Sequence, residues 1–201
     1  MEAKNRKCLF SVLNRDFIIG FEAFAASLRK NNPWTMDIGL EILIVSVDLS
    51  DSDKKKCENL YPFIRWLKPH EPPSIFNQDD TKIGISAFHK LRVFDISEYD
   101  SIISIDCGDM IVLKNIATLF SYDVSIGMVQ GWTPVMKWQQ FNGGLVVLNK
   151  TYRNRETYNR LTSYPPSPFY DQQILNDEFS KEIVRLPVDF NFSKRMIECD
   201  E

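Results

Sequence analysis

The sequence has few of the features that mark fibrous, low-complexity or membrane-spanning proteins. Glycine and proline are scarce, at 8 and 10 of 201 residues, which argues against flexible linkers and fibrous repeats. No apolar run reaches the roughly 18 residues that a membrane-spanning helix needs. The first residues, MEAKNRKCLFSV, are charged and lack the long apolar core of a signal peptide. These absences leave a globular domain as the class to consider.

The sequence also lacks an excess of one charge and a cluster of cysteines. With 24 basic and 27 acidic residues the net charge is −3, which does not favour nucleic-acid binding, although a local basic patch stays open. The four cysteines are far apart and form no Cys-x-x-Cys pair, so reduced, cytosolic thiols are the simplest interpretation. The compact chain without a membrane anchor suits a bacterial or viral cytosolic protein. The length and the 44% of hydrophobic residues predict one domain, residues 1–201, with its own core.

Apolar segments typical of strands alternate along the chain with segments typical of helices. We predict strands at residues 8–13, 41–47, 62–67, 101–105, 124–129, 143–149 and 183–186. We predict helices at residues 16–30, 85–98, 152–163 and 169–179, and a short helix that Ser50 to Ser52 can cap. This alternation predicts an α/β fold with a mostly parallel central sheet and helices on both faces. Ligands in such folds bind beyond the carboxyl ends of the strands.

The strand at residues 101–105 leads into a pair of carboxylates. Asp106 follows the strand, and Asp109 comes after Cys107-Gly108. A tight turn can bring the two carboxylates together, and Gly108 supplies the conformational freedom that such a turn needs. The pair suits Mg²⁺ or Mn²⁺, which proteins hold with one or two carboxylates plus substrate phosphates. The alternative is a solvated Asp-Gly-Asp turn without a ligand.

A second motif, FNGGLVVLN, occupies residues 141–149. Gly143-Gly144 opens a strand there, so the backbone can come close to a ligand, and Asn142 has an amide that can bond to sugar hydroxyls. The alternative is a bulge that enters a strand.

A third motif, FYDQQILN, occupies residues 169–176. Asp171 and Gln172 fall in the first turn of the predicted helix, where the helix dipole stabilises a carboxylate. Ordinary charging of a helix end is the alternative, so this motif on its own does not define a site.

The order of these motifs resembles that of the retaining glycosyltransferases of family eight, the group that contains glycogenin and bacterial lipopolysaccharide galactosyltransferases. The resemblance runs from residue 9 to about residue 192. It implies the GT-A fold, a nucleotide-diphospho-sugar transferase fold with a Rossmann-like sheet. The motifs that carry it are Phe88-His89-Lys90-Leu91, Asp106 with Asp109, Phe141-Asn142-Gly143-Gly144, Asp171-Gln172 with Asn176, and Leu186-Pro187 with Asn191. The start of the chain adds Ser11, Leu13, Asn14, Phe17, Gly20, Ser27 and Leu28.

The resemblance implies a metal-dependent glycosyltransferase that uses a UDP-sugar as its donor. Asp106 and Asp109 are implied to hold Mn²⁺ or Mg²⁺, and Phe17 to lie near the uracil base. The residues implied to act on the sugar and its leaving group are Lys90, Asn142, Asp171 and Gln172. Those implied to bind the nucleotide are Ser11, Leu13, Asn14, Phe17, Lys90, Asp106, Cys107, Gly108 and Gly143.

The chain departs from the family pattern in two places. Two residues separate Asp106 from Asp109, where the family has one. A later His-x-x-Gly-x-x-Lys-Pro-Trp segment, whose His completes the metal site and whose Lys meets the diphosphate, does not occur in the sequence. Asp189, Asn191 or water is a candidate for the missing ligand, since His70 and His89 are expected to be surface or loop histidines. A minimal enzyme and a piece of a longer protein both fit this departure.

The acceptor stays open at this point. A glycan or glycolipid is favoured, and a protein side chain or a modified DNA base is an alternative. Trp132 and Trp138 are candidates for stacking on a sugar or a base. A patch of Arg153, Arg155 and Arg160 is a candidate for an anionic acceptor, although a solvated helix face is favoured. The competing functions are a phosphatase or nucleotidyltransferase, and a domain that binds a nucleotide sugar or glycan without turnover.

Overall fold

The computed structural model of the chain describes residues 6–71, 87–131, 140–165 and 170–192. Seven strands form one sheet in the order β3-β2-β1-β4-β6-β5-β7, and only β6 runs antiparallel to its neighbours. The mostly parallel α/β sheet is confirmed. The strands are β1 (Lys7–Leu13), β2 (Glu41–Ser46), β3 (Ile64–Leu67), β4 (Ser101–Ile105), β5 (Ile126–Gln130), β6 (Phe141–Leu148) and β7 (Val184–Leu186).

Five α-helices have bounds within the described residues, and four short 3-10 turns connect elements. The helices are α1 (Ile18–Asn31), α2 (Trp34–Asp37), α3 (Asp51–Leu60), α4 (Arg155–Thr162) and α5 (Tyr170–Glu178). The 3-10 turns are Arg15–Phe17, Leu91–Asp95, Ala117–Ser121 and Val188–Phe190. Residues 87–90 are also helical. None of the helices in the described ranges is long and apolar enough to cross a membrane.

Side-chain hydrogen bonds explain where several helices begin. Ser50 caps α3 as predicted, because its hydroxyl accepts from Asp53 N–H while the Asp53 carboxylate accepts from Ser50 N–H. Asn154 caps α4 by accepting from Thr157 N–H, so this helix begins at Arg155 and not at residue 152 as predicted. The helix predicted for residues 85–98 becomes a 3-10 turn after residue 90 and ends by Ile96.

The sheet has a packed hydrophobic layer on each face. Because side chains alternate along a strand, Leu9 of β1 joins the layer that contains α1, while Phe10 joins the layer that contains α4 and α5. Phe21, Phe24 and Leu28 of α1 are fully buried in the first layer, as the predicted apolar stripe requires. Burial on both faces is what a mostly parallel sheet needs to be stable.

The strand order creates a crevice between β1 and β4. The chain runs outward from β1 to β2 and β3, and then returns to place β4 on the other side of β1. The two strands are parallel, with Phe10 opposite Ser104. Their carboxyl ends, which lead into Asn14 and Asp106, therefore flank the point where strand order reverses. Open α/β sheets bind ligands at this point.

Candidate active site

The two candidate metal-binding carboxylates lie on the turn that follows β4. Asp106 N–H donates to the Gly144 carbonyl of β6 at 2.9 Å, which ties the start of the turn to the sheet. Asp109 N–H then donates to the Asp106 carbonyl at 3.3 Å and closes the turn. The tight turn expected from the sequence is therefore present. It sits at the carboxyl edge of the parallel strands.

Glycine is needed at position 108 for space. Gly39 is the only glycine in the described ranges with a positive φ, so the prediction that Gly108 supplies an unusual backbone conformation is wrong. A Cβ on Gly108 would lie 2.7 Å from Cβ of Phe17, and a Cβ on Gly20 would lie 1.6 Å from the Gly108 carbonyl oxygen. The two glycines allow the carboxylate turn to rest directly on the first turns of α1.

Lys90 brings three separate elements together. Its ammonium nitrogen lies 2.8 Å from each carboxylate oxygen of Asp106 and 3.5 Å from Oδ2 of Asp171. Lys90 ends the helical residues 87–90, Asp106 follows β4, and Asp171 is in the first turn of α5. The structure thus joins three predicted site residues that are far apart in the sequence.

These charged groups set each other's protonation. Burial alone would lower the pKa of Lys90, but the carboxylates of Asp171 and Asp106 outweigh burial and raise it, so the ammonium stays charged. Burial raises the pKa of Asp171 to about 6, against the opposing charge of Lys90. Desolvation and then the charge of Asp106 raise the pKa of Asp109. The single positive charge of Lys90 therefore faces the carboxyl groups of Asp106, Asp109 and Asp171. This excess of acidic groups can attract a further cation.

The FNGG motif forms another side of the site. Gly143 N–H donates to Oε1 of Gln172 at 3.4 Å, and a Cβ on Gly143 would lie 2.7 Å from Oδ2 of Asp171. Glycine at this position therefore lets the first turn of α5 approach β6. The pairing between β5 and β6 is irregular here, as the bulge interpretation predicted. The bulge interpretation is confirmed, and the prediction that the backbone here approaches a ligand stays a prediction.

The residues predicted to bind the nucleotide divide into buried and accessible groups. Ser11, Leu13 and Cys107 have buried side chains, and the Ser11 hydroxyl links the ends of β1 and β4 by accepting from Cys107 N–H at 3.3 Å. Burial raises the pKa of the Cys107 thiol to about 12, so this thiol stays protonated. Only the backbone of these three residues can face a ligand. Asn14 is also buried, whereas Phe17 exposes 42% of its surface at the edge of the crevice.

Arg153, Arg155 and Arg160, the candidate basic patch of the sequence analysis, do not form such a patch. Arg153 is buried and donates to backbone carbonyls, including that of Ile96 at 2.7 Å. Arg155 pairs with Asp95 at 3.0 Å, and Arg160 pairs with Glu178. The favoured interpretation, a solvated helix face, is also wrong for Arg153. Trp132 and Trp138 lie outside the described residues.

The histidines stand apart from the carboxylate turn. His70 Nδ1 lies 2.6 Å from the Tyr158 hydroxyl. His89 is 3% exposed, so the expectation of a surface or loop histidine is wrong for it. Asp189, a candidate for the missing metal ligand, instead pairs with Lys114 at 3.3 Å.

The donor atoms on the turn fit a hard divalent cation. Asp106 exposes 30% of its side chain and Asp109 is exposed, so both carboxylates are accessible. Within the four described ranges, no group of three or more His, Cys, Asp or Glu side chains is arranged to hold a metal ion. Two carboxylates with remaining positions for phosphate oxygens and water are what Mg²⁺ commonly takes in proteins.

The sequence pattern that defines Glycosyl transferase family 8 matches residues 8–197, nearly the whole chain. The chain belongs to glycosyl transferase family 8. The family 8 match includes the carboxylate turn and all seven strands except Lys7, the first residue of β1. The resemblance inferred from the motifs is confirmed.

Individual relatives agree with this family and with the GT-A fold. A candidate UDP-glucuronate:xylan alpha-glucuronosyltransferase 3 of Arabidopsis thaliana is 28% identical over 193 residues, which cover 92% of this chain and 28% of that protein. The galactosyltransferase LgtC, solved with donor and acceptor sugar analogues, superposes with a TM-score of 0.68 at 16% identity, covering 90% of this chain and 73% of LgtC. Core-mannan synthase A of Aspergillus fumigatus, solved in an Mn/GDP form, superposes with a TM-score of 0.61 at 8% identity, covering 92% of this chain and 73% of the synthase. This family 8 chain thus spans little more than a quarter of the plant relative's length.

Two residues of this family 8 chain shape the site in ways that sequence reasoning missed. Asn191 was considered as part of a family motif and as a candidate metal ligand, yet its Nδ2 donates to Oδ1 of Asn142 at 2.8 Å. Asn176 was noted only as part of a motif, yet its amide both donates to and accepts from the backbone of Phe141 at 2.8 Å. The sequence did mark both residues, because Asn176 follows Asp171-Gln172 and Asn191 follows Leu186-Pro187. It could not show which group each side-chain amide bonds to, because that depends on tertiary packing.

Proposed function

We propose that this chain transfers a sugar from a nucleotide-sugar donor, a UDP-sugar, to an acceptor hydroxyl, with metal dependence and with retention of the anomeric configuration. The observation that carries the proposal is the convergence of Lys90, Asp106 and Asp171 at the point where strand order reverses. The name of the Arabidopsis relative, which includes UDP-glucuronate, supports the choice of UDP.

Asp106 and Asp109 are the residues that would hold Mn²⁺ or Mg²⁺. The Mn/GDP form of core-mannan synthase A supports a divalent cation at a nucleotide diphosphate in this fold. When bound, the cation would supply Lewis-acid stabilisation of the departing diphosphate. Because the Lys90 ammonium contacts both oxygens of Asp106, a cation bound there would share these oxygens with the ammonium, using their remaining lone pairs.

Lys90 would also stabilise the leaving group during the transfer step. In the transfer step the bond between the sugar C1 and the diphosphate oxygen breaks, and its electron pair stays on the phosphate. A bond forms between C1 and the acceptor oxygen, and the acceptor hydroxyl gives its proton to the departing diphosphate oxygen. The negative charge that develops on the leaving diphosphate is stabilised by a nearby ammonium, and the pKa of Lys90 is raised by Asp171 and Asp106, so the charge persists.

The sugar itself would lie against the FNGG motif and the start of α5. Asn142, Asp171 and Gln172 border this part of the site, and each offers hydrogen-bonding groups for sugar hydroxyls. On the other side, the backbone around Ser11, Leu13, Asn14, Cys107, Gly108 and Gly143 and the exposed ring of Phe17 would contact the nucleotide. An aromatic ring offers a stacking surface to any base.

Three further proposals concern the whole molecule. We propose that residues 1–201 act as one catalytic domain, since the elements that carry the site residues belong to one sheet or pack around it. We propose a reducing compartment, the cytosol, because Cys8, Cys57 and Cys107 are free and buried. A glycan or glycolipid is the proposed acceptor, supported by the sugar acceptor analogue bound to LgtC.

Binding and turnover have to be measured together, because a domain that only binds a nucleotide sugar would satisfy a binding test alone. The protein is incubated with individual UDP-sugars and Mn²⁺, and UDP release is followed with and without a mixture of oligosaccharide acceptors. Release that depends on Mn²⁺ and rises with an acceptor supports transfer. Binding of a UDP-sugar with no release under any condition would overturn the catalytic proposal in favour of a binding domain.

A further inference from the structure

We infer that Asn191 is a positioning residue, which fixes the side-chain amide of Asn142 so that Asn142 offers an N–H donor to the sugar of the nucleotide donor. This inference rests on the proposed function. It assigns a role to the segment after β7, where Asn191 follows the 3-10 turn Val188–Phe190.

Two donors converge on one oxygen of Asn142. Asn191 Nδ2 lies 2.8 Å from Asn142 Oδ1, and the backbone N–H of Gly144 donates to the same oxygen at 2.7 Å. Both distances are those of good hydrogen bonds. An amide oxygen has two lone pairs, so these two bonds use its full accepting capacity.

The orientation of the Asn142 amide follows from the backbone. The N–H of Gly144 can only donate, so the Asn142 atom that faces it has to be the oxygen and not the amino group. Asn191 must then turn its own amino group toward that oxygen. With Oδ1 held in this way, the group that Asn142 can present to a ligand is the Nδ2 amino group.

Gly144 leaves room for the hydrogen-bonded amides of Asn142 and Asn191 because it has no side chain. A Cβ on Gly144 would lie 2.8 Å from Asn142 Oδ1 and 3.3 Å from Asn191 Nδ2, and it would also crowd Met110. The carbonyl of Gly144 accepts from Asp106 N–H at 2.9 Å. The amide pair is therefore fastened to the same backbone that holds the carboxylate turn.

The chemistry that Asn142 recognises follows from its free amino group. An N–H donor forms a hydrogen bond with an oxygen that can accept, such as a sugar hydroxyl oxygen. A deoxy sugar that lacks this hydroxyl would form no such bond. Because the adjacent residue Gly143 contacts Gln172 in the first turn of α5, we expect Asn142 to bind the sugar and not the nucleotide. Loss of its orientation should therefore weaken a UDP-sugar more than UDP alone.

The first test needs no ligand. Side-chain amide order of Asn142 is measured by ¹⁵N relaxation in the unmodified protein, in Asn191→Leu, and in Asn159→Leu, a control at an exposed helix position. We expect Asn191→Leu to lower the order of the Asn142 NH₂ group, because one of its two anchoring bonds is gone, and Asn159→Leu to leave it unchanged. Equal order in all three proteins would overturn the positioning role.

The second test compares UDP with UDP-sugar by calorimetry in the presence of Mn²⁺. Asn191→Asp places a carboxylate against Asn142 Oδ1 and should weaken the UDP-sugar about tenfold, the effect of about one hydrogen bond, with UDP affinity unchanged. Asn142→Asp carries the same added charge, keeps both accepted bonds and lacks the amino group. It should show the same selective loss and keep its thermal stability, a combination that a merely structural role would not produce.

The outcomes separate the inference from the proposed function. If the unmodified protein binds a UDP-sugar and both variants bind it equally well, the donor role of Asn142 is overturned while the proposed function stands. If the unmodified protein binds no nucleotide sugar, the proposed function and the sugar contact are both overturned. The relaxation experiment still decides in that case whether Asn191 orders Asn142.

Discussion

Lys90 holds its ammonium nitrogen 2.8 Å from both carboxylate oxygens of Asp106. A lysine on the helical residues 87–90 thereby covers the carboxylate that the proposed function assigns to a divalent cation. The same ammonium lies 3.5 Å from Asp171, whose carboxyl is buried. Without Lys90, two carboxylates would be left without their nearest positive charge.

We expect Lys90→Met to lower kcat/KM for UDP-sugar turnover about 100-fold, the effect of losing one preorganised charge on a leaving group. Steady-state kinetics with saturating Mn²⁺ would measure it. Lys114→Met is the matched control, because Lys114 also pairs with an aspartate but at an exposed position. Equal losses in the two variants would contradict a specific role for Lys90.

The contact between Gly20 and Gly108 predicts a loss of stability when a methyl group is added. A Cβ on Gly20 would lie 1.6 Å from a backbone oxygen that cannot rotate away, so Gly20→Ala should destabilise the fold by about 1–3 kcal/mol. In an unobstructed helix the same change is stabilising, by about 1 kcal/mol. Urea unfolding measures the difference. Gly131→Ala, whose Cβ would meet its nearest neighbour at 3.4 Å, should be near neutral. A stable Gly20→Ala protein would show that α1 and the carboxylate turn are not in contact.

His89 predicts how stability depends on pH. Burial, followed by the nearby charges of His70 and Arg92, lowers the pKa of His89 to about 4 from an ordinary 6.5. As the pH falls below about 6.5 the unfolded chain takes up the proton first, so acidification to about pH 4 favours unfolding, by on the order of 2–3 kcal/mol.

Urea unfolding of the unmodified protein and of His89→Phe between pH 4 and 8 would measure this contribution. Above about pH 6.5 we expect a constant difference in unfolding free energy between the two. Below that value the difference should shift in favour of His89→Phe, because phenylalanine takes up no proton. A difference that stays constant down to pH 4 would contradict a buried, neutral His89.

Loss of Arg153 should destabilise the fold more than loss of Arg155. Arg153 is 2% exposed, and its guanidinium donates to four backbone carbonyls, those of Ile96, Tyr99, Asp100 and Asn149. Arg153→Met leaves these carbonyls without a donor and should cost about 3–5 kcal/mol of stability. Arg155→Met removes an ion pair whose arginine is exposed, together with a contact to the Tyr158 ring, and should cost about 1 kcal/mol. Thermal unfolding compares the two, and similar costs would contradict the assignment.

Much of the fold could be predicted from sequence because its strands have strong local signals. Segments such as CLFSVL and EILIVS are apolar and rich in residues that favour strands, and β1 and β2 lie within a residue of the predicted ranges. The helix predicted for residues 85–98 was the main error. After residue 90 the chain forms a 3-10 turn and then an extended segment, and the buried Arg153 accounts for it by drawing in carbonyls from that segment. A contact between residues more than 50 positions apart leaves no local signal.

The candidate site was predictable residue by residue but not as an arrangement. The spacing of Asp106 and Asp109 and the FNGG motif pointed to the right edge of the sheet. Three features of the site depend on how distant elements pack. They are the ion pair between Lys90 and Asp106, the hydrogen bond from Asn191 to Asn142, and the burial of Ser11. For Gly108 the sequence indicated the right residue for the wrong reason, because the close approach of Phe17 requires the glycine and a positive φ does not.

The most direct test of the central claim, that Asp106 and Asp109 hold a cation that a nucleotide sugar needs, is a thermal-shift titration. UDP-sugars are added with Mn²⁺ or with EDTA to the unmodified protein, to Asp106→Asn and Asp109→Asn, and to Asp123→Asn, an exposed control. At about 100 times its Kd, a ligand adds about 2.7 kcal/mol, which raises the Tm by about 5–10 °C. We predict this shift with Mn²⁺ in the unmodified protein and the Asp123 control, and its loss with EDTA and in the other two variants. An equal shift in all four proteins, with or without Mn²⁺, would contradict the claim.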